Sequence, residues 1–396
     1  VFLAFNLLFY QPERNLHRWL SGAKHMRVSQ RQCCVILFAA SLLGCGRLAA
    51  SRLEGRRAPE LDGGLTWLNS TAVKLADLRG KVVLLDFFEY SCVNCIRTFP
   101  YLDEWRKRYG NDGLVVVGVH TPQYEFSMDP QNVNAGVQRL GLTFPVVVDS
   151  NFHIADAYGN RFSPRIFLID KTGTIRFDHT GEGAYEETEL AIQKLLHEID
   201  PSKTFPAPMA PVRATDRSGA VCYPVTTELY LGQIRGRLGN VGSGDTNSAA
   251  LFTLPERLEE GLIYVAGEWD NRSEYLRHTR DTDDPQDLIA LRYRATEVNV
   301  VMKPEDVYWL RVFVKQDGDW LPREIAGEDI KYDDQGRSYV EAKSARMYNL
   351  IGKQAYGTHD IRLIVRSRGL SVYSFSFGTC EMPSAQDKLQ LERKSS

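Results

Sequence analysis

Cys92-Val93-Asn94-Cys95 stands where one hydrophobic pattern stops and another begins. The preceding run, Lys81-Val82-Val83-Leu84-Leu85-Asp86-Phe87-Phe88, is almost continuously apolar and β-branched, which reads as a parallel strand covered on both faces. Beyond it, Ile96, Phe99, Leu102 and Trp105 recur at helical spacing. The two patterns predict an α/β domain with Cys92 at a strand-to-helix turn, on the helix N-terminus.

Two thiols three residues apart on one helical turn can close a small disulfide. The unpaired amides and dipole at that end favour a thiolate on the first of them. Cys92 is therefore the expected nucleophile and Cys95 the resolving thiol, since a mixed disulfide must be released by a second thiol held nearby. Proton traffic at Cys95 needs a base, and Asp86, six residues before Cys92, is the candidate. The plainer reading of Asp86 is a buried, hydrogen-bonded carboxylate. Glu89 reads as surface decoration, and the isolated His120 and His153 read as surface residues. A Cys-x-x-Cys is often half a zinc site, but no second Cys or Cys/His pair at ligand spacing exists here, so no metal is expected.

Four features together resemble the thioredoxin superfamily: an acid six residues before the first Cys, the Cys-x-x-Cys, Pro100 five residues after the second, and Pro164 opening the run Arg165-Ile166-Phe167-Leu168-Ile169. The resemblance implies a cis Ser163–Pro164 bond facing the thiols, with substrate backbone pairing beside Ser163. Ser91, where thioredoxin has Trp, takes the other substrate-side position, and with Val93-Asn94 between the thiols thioredoxin's reduction potential does not transfer. Leu75-Ala76-Asp77-Leu78-Arg79-Gly80-Lys81, Val117-Gly118-Val119-His120-Thr121-Pro122 and Thr180-Gly181-Glu182-Gly183 look like the membrane-tethered redoxins of the TlpA group. In particular they resemble the soluble C-terminal part of DipZ-type proteins, over residues 58–200 and more loosely up to Cys380. That resemblance implies a thiol:disulfide oxidoreductase acting on partner-protein disulfides. Its electrons would come from a separate membrane donor of the cytochrome-c-biogenesis type, with no cofactor beyond the Cys92–Cys95 pair. One rival is a thiol peroxidase, but peroxiredoxins carry Pro and Thr where this chain has Leu85 and Glu89. The other is a carbohydrate- or wall-binding lipoprotein with a passenger redoxin domain, against which the intact Cys92, Cys95, Asp86 and Pro164 argue.

The N-terminal 57 residues are different material. Met26-Arg27-Val28-Ser29-Gln30-Arg31-Gln32 is a positive leader, residues 33–43 are apolar, and Leu42-Leu43-Gly44-Cys45 fits the lipobox of bacterial lipoproteins. That pattern implies cleavage before Cys45, acyl chains on its thiol, and a lipid anchor in the bacterial cell envelope on the extracytoplasmic, periplasmic side. Cleavage after Ala50 and an uncleaved anchor are the alternatives, although the apolar run is too short to span a bilayer. Met26 is the expected natural start, which leaves residues 1–24 outside the mature protein. Of seven cysteines, only Cys222 and Cys380 fall outside the leader, the lipobox and the redox motif. A structural disulfide between them and two buried free thiols are both open readings.

At 396 residues and 43% hydrophobic content the chain suits two domains, and a net charge of -2 without a basic stripe argues against nucleic acid as a partner. The expected division is 1–57 leader and tether, 58–200 thioredoxin-like α/β domain, 201–225 Pro-rich linker, 226–380 all-β sandwich and 381–396 polar tail. In the first domain strands are expected at 82–88, 114–119, 145–149, 165–170 and 174–179, and helices at 92–109, 131–140 and 186–199. The prolines of the linker predict an extended spacer. After it, Tyr373, Phe375 and Phe377 alternate with serines, and Ile361, Leu363 and Val365 with polar residues, which predicts an antiparallel sandwich of jelly-roll, carbohydrate-module-like type. Trp269, Tyr275 and Trp309 could stack on sugar rings, making carbohydrate or cell wall a candidate partner. Core aromatics are the plainer reading.

Overall fold

The computed structural model describes residues 53–243, 249–283, 287–305 and 308–382, so the expected leader, Cys45 and most of the polar tail lie outside the described residues. The first domain runs β1 (Thr66–Leu68), β2 (Val82–Phe88), α1 (Val93–Tyr109), β3 (Leu114–His120), α2 (Pro130–Arg139), β4 (Val146–Val148), α3 (His153–Ala157), β5 (Arg165–Ile169), β6 (Ile175–Thr180) and α4 (Tyr185–Ile199). The sheet order is β1-β4-β3-β2-β5-β6. β2, β3 and β4 are parallel, and β5 returns antiparallel to β2. Every residue of β2 is buried, as a central strand covered on both faces requires. One face packs Phe99, Leu102 and Trp105 of α1 with Leu195 and Leu196 of α4; the other packs Ile154 of α3 with Tyr158 and Phe167.

The Pro-rich segment has no helix or strand over residues 203–211, and it is strapped to the first domain. The Pro206 carbonyl accepts from Gln193 at 2.9 Å, the Ala207 carbonyl from Arg108 at 2.8 Å, and the Met209 N–H reaches the buried Glu189 carboxylate at 2.8 Å. Further on, the Val212 N–H donates to the Tyr101 hydroxyl at 2.9 Å.

Beyond it come β7 (Val221–Cys222), β8 (Leu229–Tyr230), β9 (Ala250–Phe252), β10 (Ile263–Asn271), β11 (Leu276–His278), β12 (Leu288–Ala295), β13 (Glu297–Pro304), β14 (Leu310–Gln316), β15 (Asp319–Trp320), β16 (Ile330–Tyr332), β17 (Ser338–Ala342), β18 (Arg346–Ile351), β19 (Gly357–Val365), β20 (Leu370–Gly378) and β21 (Cys380–Glu381). β7 and β21 pair only with each other; the rest form two antiparallel sheets, one ordered β16-β17-β14-β19-β12-β10 with β15 beside β14 and the other β10-β11-β20-β13-β18 with β9 beside β10 and β8 beside β20. β10 belongs to both: its first half pairs β12 and its second half pairs β9 and β11. The crossing is at Gly267, whose φ of +90° suits glycine and where a Cβ would meet the Asp287 carboxylate at 2.3 Å. Val265, Leu291, Val312 and Leu363 of one sheet meet Val300, Leu350, Val372 and Phe375 of the other in the core.

The two domains share apolar packing. Val301 and Tyr373, on the outer face of the second sheet, join the same cluster as Phe99, Trp105 and Tyr124. The Tyr373 ring stands edge-on to Phe126 at 4.8 Å, and Tyr124 and Ser374 hydroxyls are hydrogen-bonded at 2.7 Å. Strict alternation would put Tyr373 on the same face as Phe375. A β-bulge intervenes: Val301 pairs with Ser374 and Met302 with Val372, leaving Tyr373 as the extra residue turned toward the first domain. An ion pair closes the seam, Arg97 to Glu297 at 2.6 Å. Fully buried aromatics contribute roughly 1.5–3 kcal/mol each and such ion pairs about 1 kcal/mol or less, so the rings dominate the seam.

Candidate functional site

β2 delivers the chain to its C-terminal end at Phe88, and α1 starts immediately beyond. Cys92 is the N-cap of α1, in extended backbone conformation, and its Sγ accepts the Cys95 N–H at 3.4 Å. The carboxylate or hydroxyl usual at an N-cap is here replaced by sulfur, which places the reactive atom where the helix dipole favours negative charge. Cys92 is partly exposed, Cys95 is buried, and both are free thiols. From the neighbouring strand, the Ser163 carbonyl accepts the Cys92 thiol at 3.7 Å, and the Ser163–Pro164 bond is cis. Ser163 and Pro164 thus lie against Cys92 at the head of β5.

Beneath the thiols sits Asp86, opposite Gly118 of β3 and Ile166 of β5. Its side chain is 0% exposed, and neither carboxylate oxygen has a hydrogen-bond partner. Of the plainer reading, burial holds and hydrogen bonding does not. Burial alone pushes its pKa up to about 8. Burial also drives the Cys95 thiol well above its ordinary value, reinforced by the hydrogen bond to Cys92 and by the charges of Cys92 and Asp86. Cys95 and Asp86 therefore each resist ionising, and a charge on Asp86 raises the Cys95 thiol further. That arrangement suits one proton passing between them as Cys95 becomes a nucleophile.

Glu89 and His120 are corrections to the sequence reading. Both are 0% exposed, with His120 Nε2 at 3.8 Å from Glu89 Oε1. Glu89 follows directly on the all-buried β2, so it is carried under the active-site turn rather than onto the surface. Its Oε2 accepts the Ser91 N–H at 2.8 Å and the Ser91 hydroxyl at 2.6 Å. Its backbone carbonyl takes the Cys92 N–H at 3.2 Å. Ser91 is consequently buried, with its hydroxyl turned inward onto Glu89. His120 ends β3 beside Phe88 and stacks on the Tyr90 ring, centroids 5.5 Å apart. His153 is exposed, as read.

Cys222 and Cys380 form a disulfide, directly opposite each other where β7 pairs β21. Of the proposed sugar-stacking set, Trp269 is 0% exposed in the sandwich core, with its indole N–H on the Ala266 carbonyl at 2.8 Å. Tyr275 packs on Tyr373 at the domain seam. Trp309 is 49% exposed and stays available. Arg97 had no sequence signal, yet it ties α1 to Glu182 at 3.4 Å as well as to Glu297 across the seam.

Comparison with known proteins agrees with this construction. Residues 53–193 match the Redoxin family, and residues 226–378 match the family described as thioredoxin like C-terminal domain. Protein DipZ of Mycobacterium tuberculosis is 37% identical over 268 residues, covering 66% of this chain and 37% of DipZ. The chain thus spans well under half the length of that relative. Thiol-disulfide oxidoreductase YkuV of Bacillus subtilis is 32% identical over 142 residues, covering 36% of this chain and 95% of YkuV. Thiol-disulfide oxidoreductase ResA of Geobacillus thermodenitrificans is 33% identical, covering 36% of this chain and 77% of ResA. With a dithiol at a helix N-cap, a cis-proline against it, thiol-disulfide oxidoreductases matched over most of their length and DipZ matched over 268 residues, the chain belongs to the thioredoxin superfamily as a DipZ-like member of its thiol:disulfide oxidoreductases.

Proposed function

We propose that this protein reduces disulfides of partner proteins outside the cytoplasmic membrane, using the Cys92–Cys95 dithiol and no other cofactor. The observation that carries the reading is the partnerless, buried Asp86 sharing its electrostatics with the buried Cys95 behind an N-cap Cys92. The Cys92 thiolate attacks one sulfur of the substrate disulfide, forming a mixed disulfide and expelling the other sulfur as thiolate. Where Asp86 is ionised, Cys95 gives its proton to that carboxylate and attacks Cys92 Sγ, releasing the second substrate thiolate and leaving a Cys92–Cys95 disulfide. Two electrons have passed to the substrate. A membrane-borne dithiol of the cytochrome-c-biogenesis type would return them by the same exchange in reverse.

Export is supported by the leader motif and by the Cys222–Cys380 bridge, which belongs in an oxidising compartment. No helix among the described residues is long and apolar enough to cross a membrane. In this reading the anchor is a lipid on Cys45. Labelled palmitate should be incorporated and lost in Cys45→Ala; a mature N-terminus at Ser51 would overturn it. Wall or sugar binding by the C-terminal domain falls to Trp309, and loss of cell-wall pull-down in Trp309→Ala tests it.

The deciding experiment is the reduction potential of the Cys92/Cys95 couple against a glutathione buffer. A reductase should lie nearer to about -270 mV than to about -120 mV, the two ends that thioredoxin-like sites span. A value at the oxidising end sinks the assignment of direction.

A further inference from the structure

The C-terminal domain does more than pack behind the first. Gln123, in the segment that leaves β3 beside Phe88, donates from Nε2 to the Tyr230 hydroxyl of β8 at 3.3 Å. Tyr230 in turn donates to Glu228 at 2.7 Å. The Arg235 guanidinium lies over the Tyr230 ring at 4.1 Å and over the Tyr124 ring at 5.0 Å, locking both aromatics in place. In the sheet β3 and β5 flank β2 on opposite sides, so this cluster stands across the Cys92 turn from Pro164. The charge of Cys92 acts on the Tyr230 hydroxyl, and that of Glu89 on the Glu228 carboxyl. Glu228 is exposed, and its carboxylate is held by the Tyr230 hydroxyl.

We propose that Tyr230 and Glu228 are specificity-determining residues of the dithiol. They wall the side of Cys92 away from Pro164, so that Cys92 takes disulfides carried on a small molecule or an extended segment and turns away those on the broad face of a folded domain. The selection is steric and is imposed by a domain that holds neither redox thiol. It rests on the thiol:disulfide reading above, but its first test does not.

That test is the labelling of Cys92 in the reduced full-length chain by N-ethylmaleimide and by a polyethylene-glycol maleimide, located by peptide mass spectrometry. The ratio of bulky to small reagent rates should rise about tenfold in Tyr230→Ala, rise less in Glu228→Ala, and return to the wild-type ratio in Tyr230→Phe. The kcat/KM ratio for a folded protein disulfide over oxidised glutathione should rise in parallel. Glu228 is exposed, so Glu228→Ala carries the same comparison if Tyr230→Ala does not fold. Unchanged ratios in the folded alanine variants overturn the wall. A labelling ratio that moves in a chain reducing neither disulfide supports the wall and refutes the redox reading instead.

Discussion

Cys92 and Cys95 lie three residues apart at the head of one helix and are unbonded, whereas Cys222 and Cys380 are 158 residues apart, face each other across two short strands and are bonded. Closing the first loop restricts the unfolded chain by about 2 kcal/mol and closing the second by about 5 kcal/mol in the chain-entropy account. The near pair can therefore open and close with little consequence for the fold, because α1 holds both sulfurs whichever state they are in. The distant pair is costly to lose because it fixes the start of the second domain to its last strand. Surroundings sharpen the contrast. In the near pair one sulfur is itself the helix N-cap, and a partnerless acid acts on the other.

The sharpest way to break this contrast is to exchange the roles within the near pair. Cys92→Ser should lower insulin disulfide reduction by at least about 10³-fold, while Cys95→Ser keeps the attacking thiol and accumulates mixed disulfides visible on non-reducing gels. Cys95 emerging as the thiol that alkylates first would reverse the assignment. Removing the distant pair should act on stability alone: Cys222→Ala with Cys380→Ala should cost about 5 kcal/mol in denaturant unfolding and leave dithiol turnover within about twofold. An unchanged midpoint would mark that bridge as dispensable.

Asp86 tests the environment of the near pair. Its folded pKa of about 8 lies above its ordinary 3.8, so the folded protein keeps a proton that the unfolded chain releases between those values. Stability falls as pH rises through that window and levels off above it. Asp86→Asn has no such proton, and its advantage over wild type should grow by about 4 kcal/mol between pH 3 and pH 7. Turnover of the same variant should drop by about 10²-fold for want of a proton acceptor. Parallel stability curves, or unchanged turnover, would remove Asp86 from both roles. The smallest effect belongs to Glu89→Gln, which keeps an acceptor for the Ser91 N–H but deletes the charge. The Cys92/Cys95 potential should shift while the melting temperature holds; a fall in melting temperature alone would make Glu89 merely structural.

The redox domain was readable because each of its devices is local. Asp86, Cys92, Cys95 and Pro100 stand at fixed offsets in one strand-turn-helix, and β2 declares itself by an unbroken apolar run. Glu89 escaped because a charge beside a strand looks exposed until the sheet covers both faces of that strand. Ser91 was read as facing substrate for a related reason, since only the buried Glu89 turns its hydroxyl inward. Arg97, Glu228 and Tyr230 carried no signal, because what gives them meaning is a partner from the other half of the chain. Trp269 and Tyr275 were offered as a sugar surface because an aromatic's face cannot be assigned before the sheets are stacked. Alternation also misassigned Tyr373, since period two is reliable only until a residue is inserted.

That inserted residue has a wider consequence. If β20 kept strict pairing with β13, the tyrosine ring would be spent inside the sandwich and the seam would lose it. One extra residue turns the ring outward into Tyr124 and Phe126, and the two domains gain an aromatic contact across the seam. One backbone register thus decides whether the seam has this aromatic at its centre. An insertion or deletion in that strand would alter the mechanics of the whole molecule without touching a thiol.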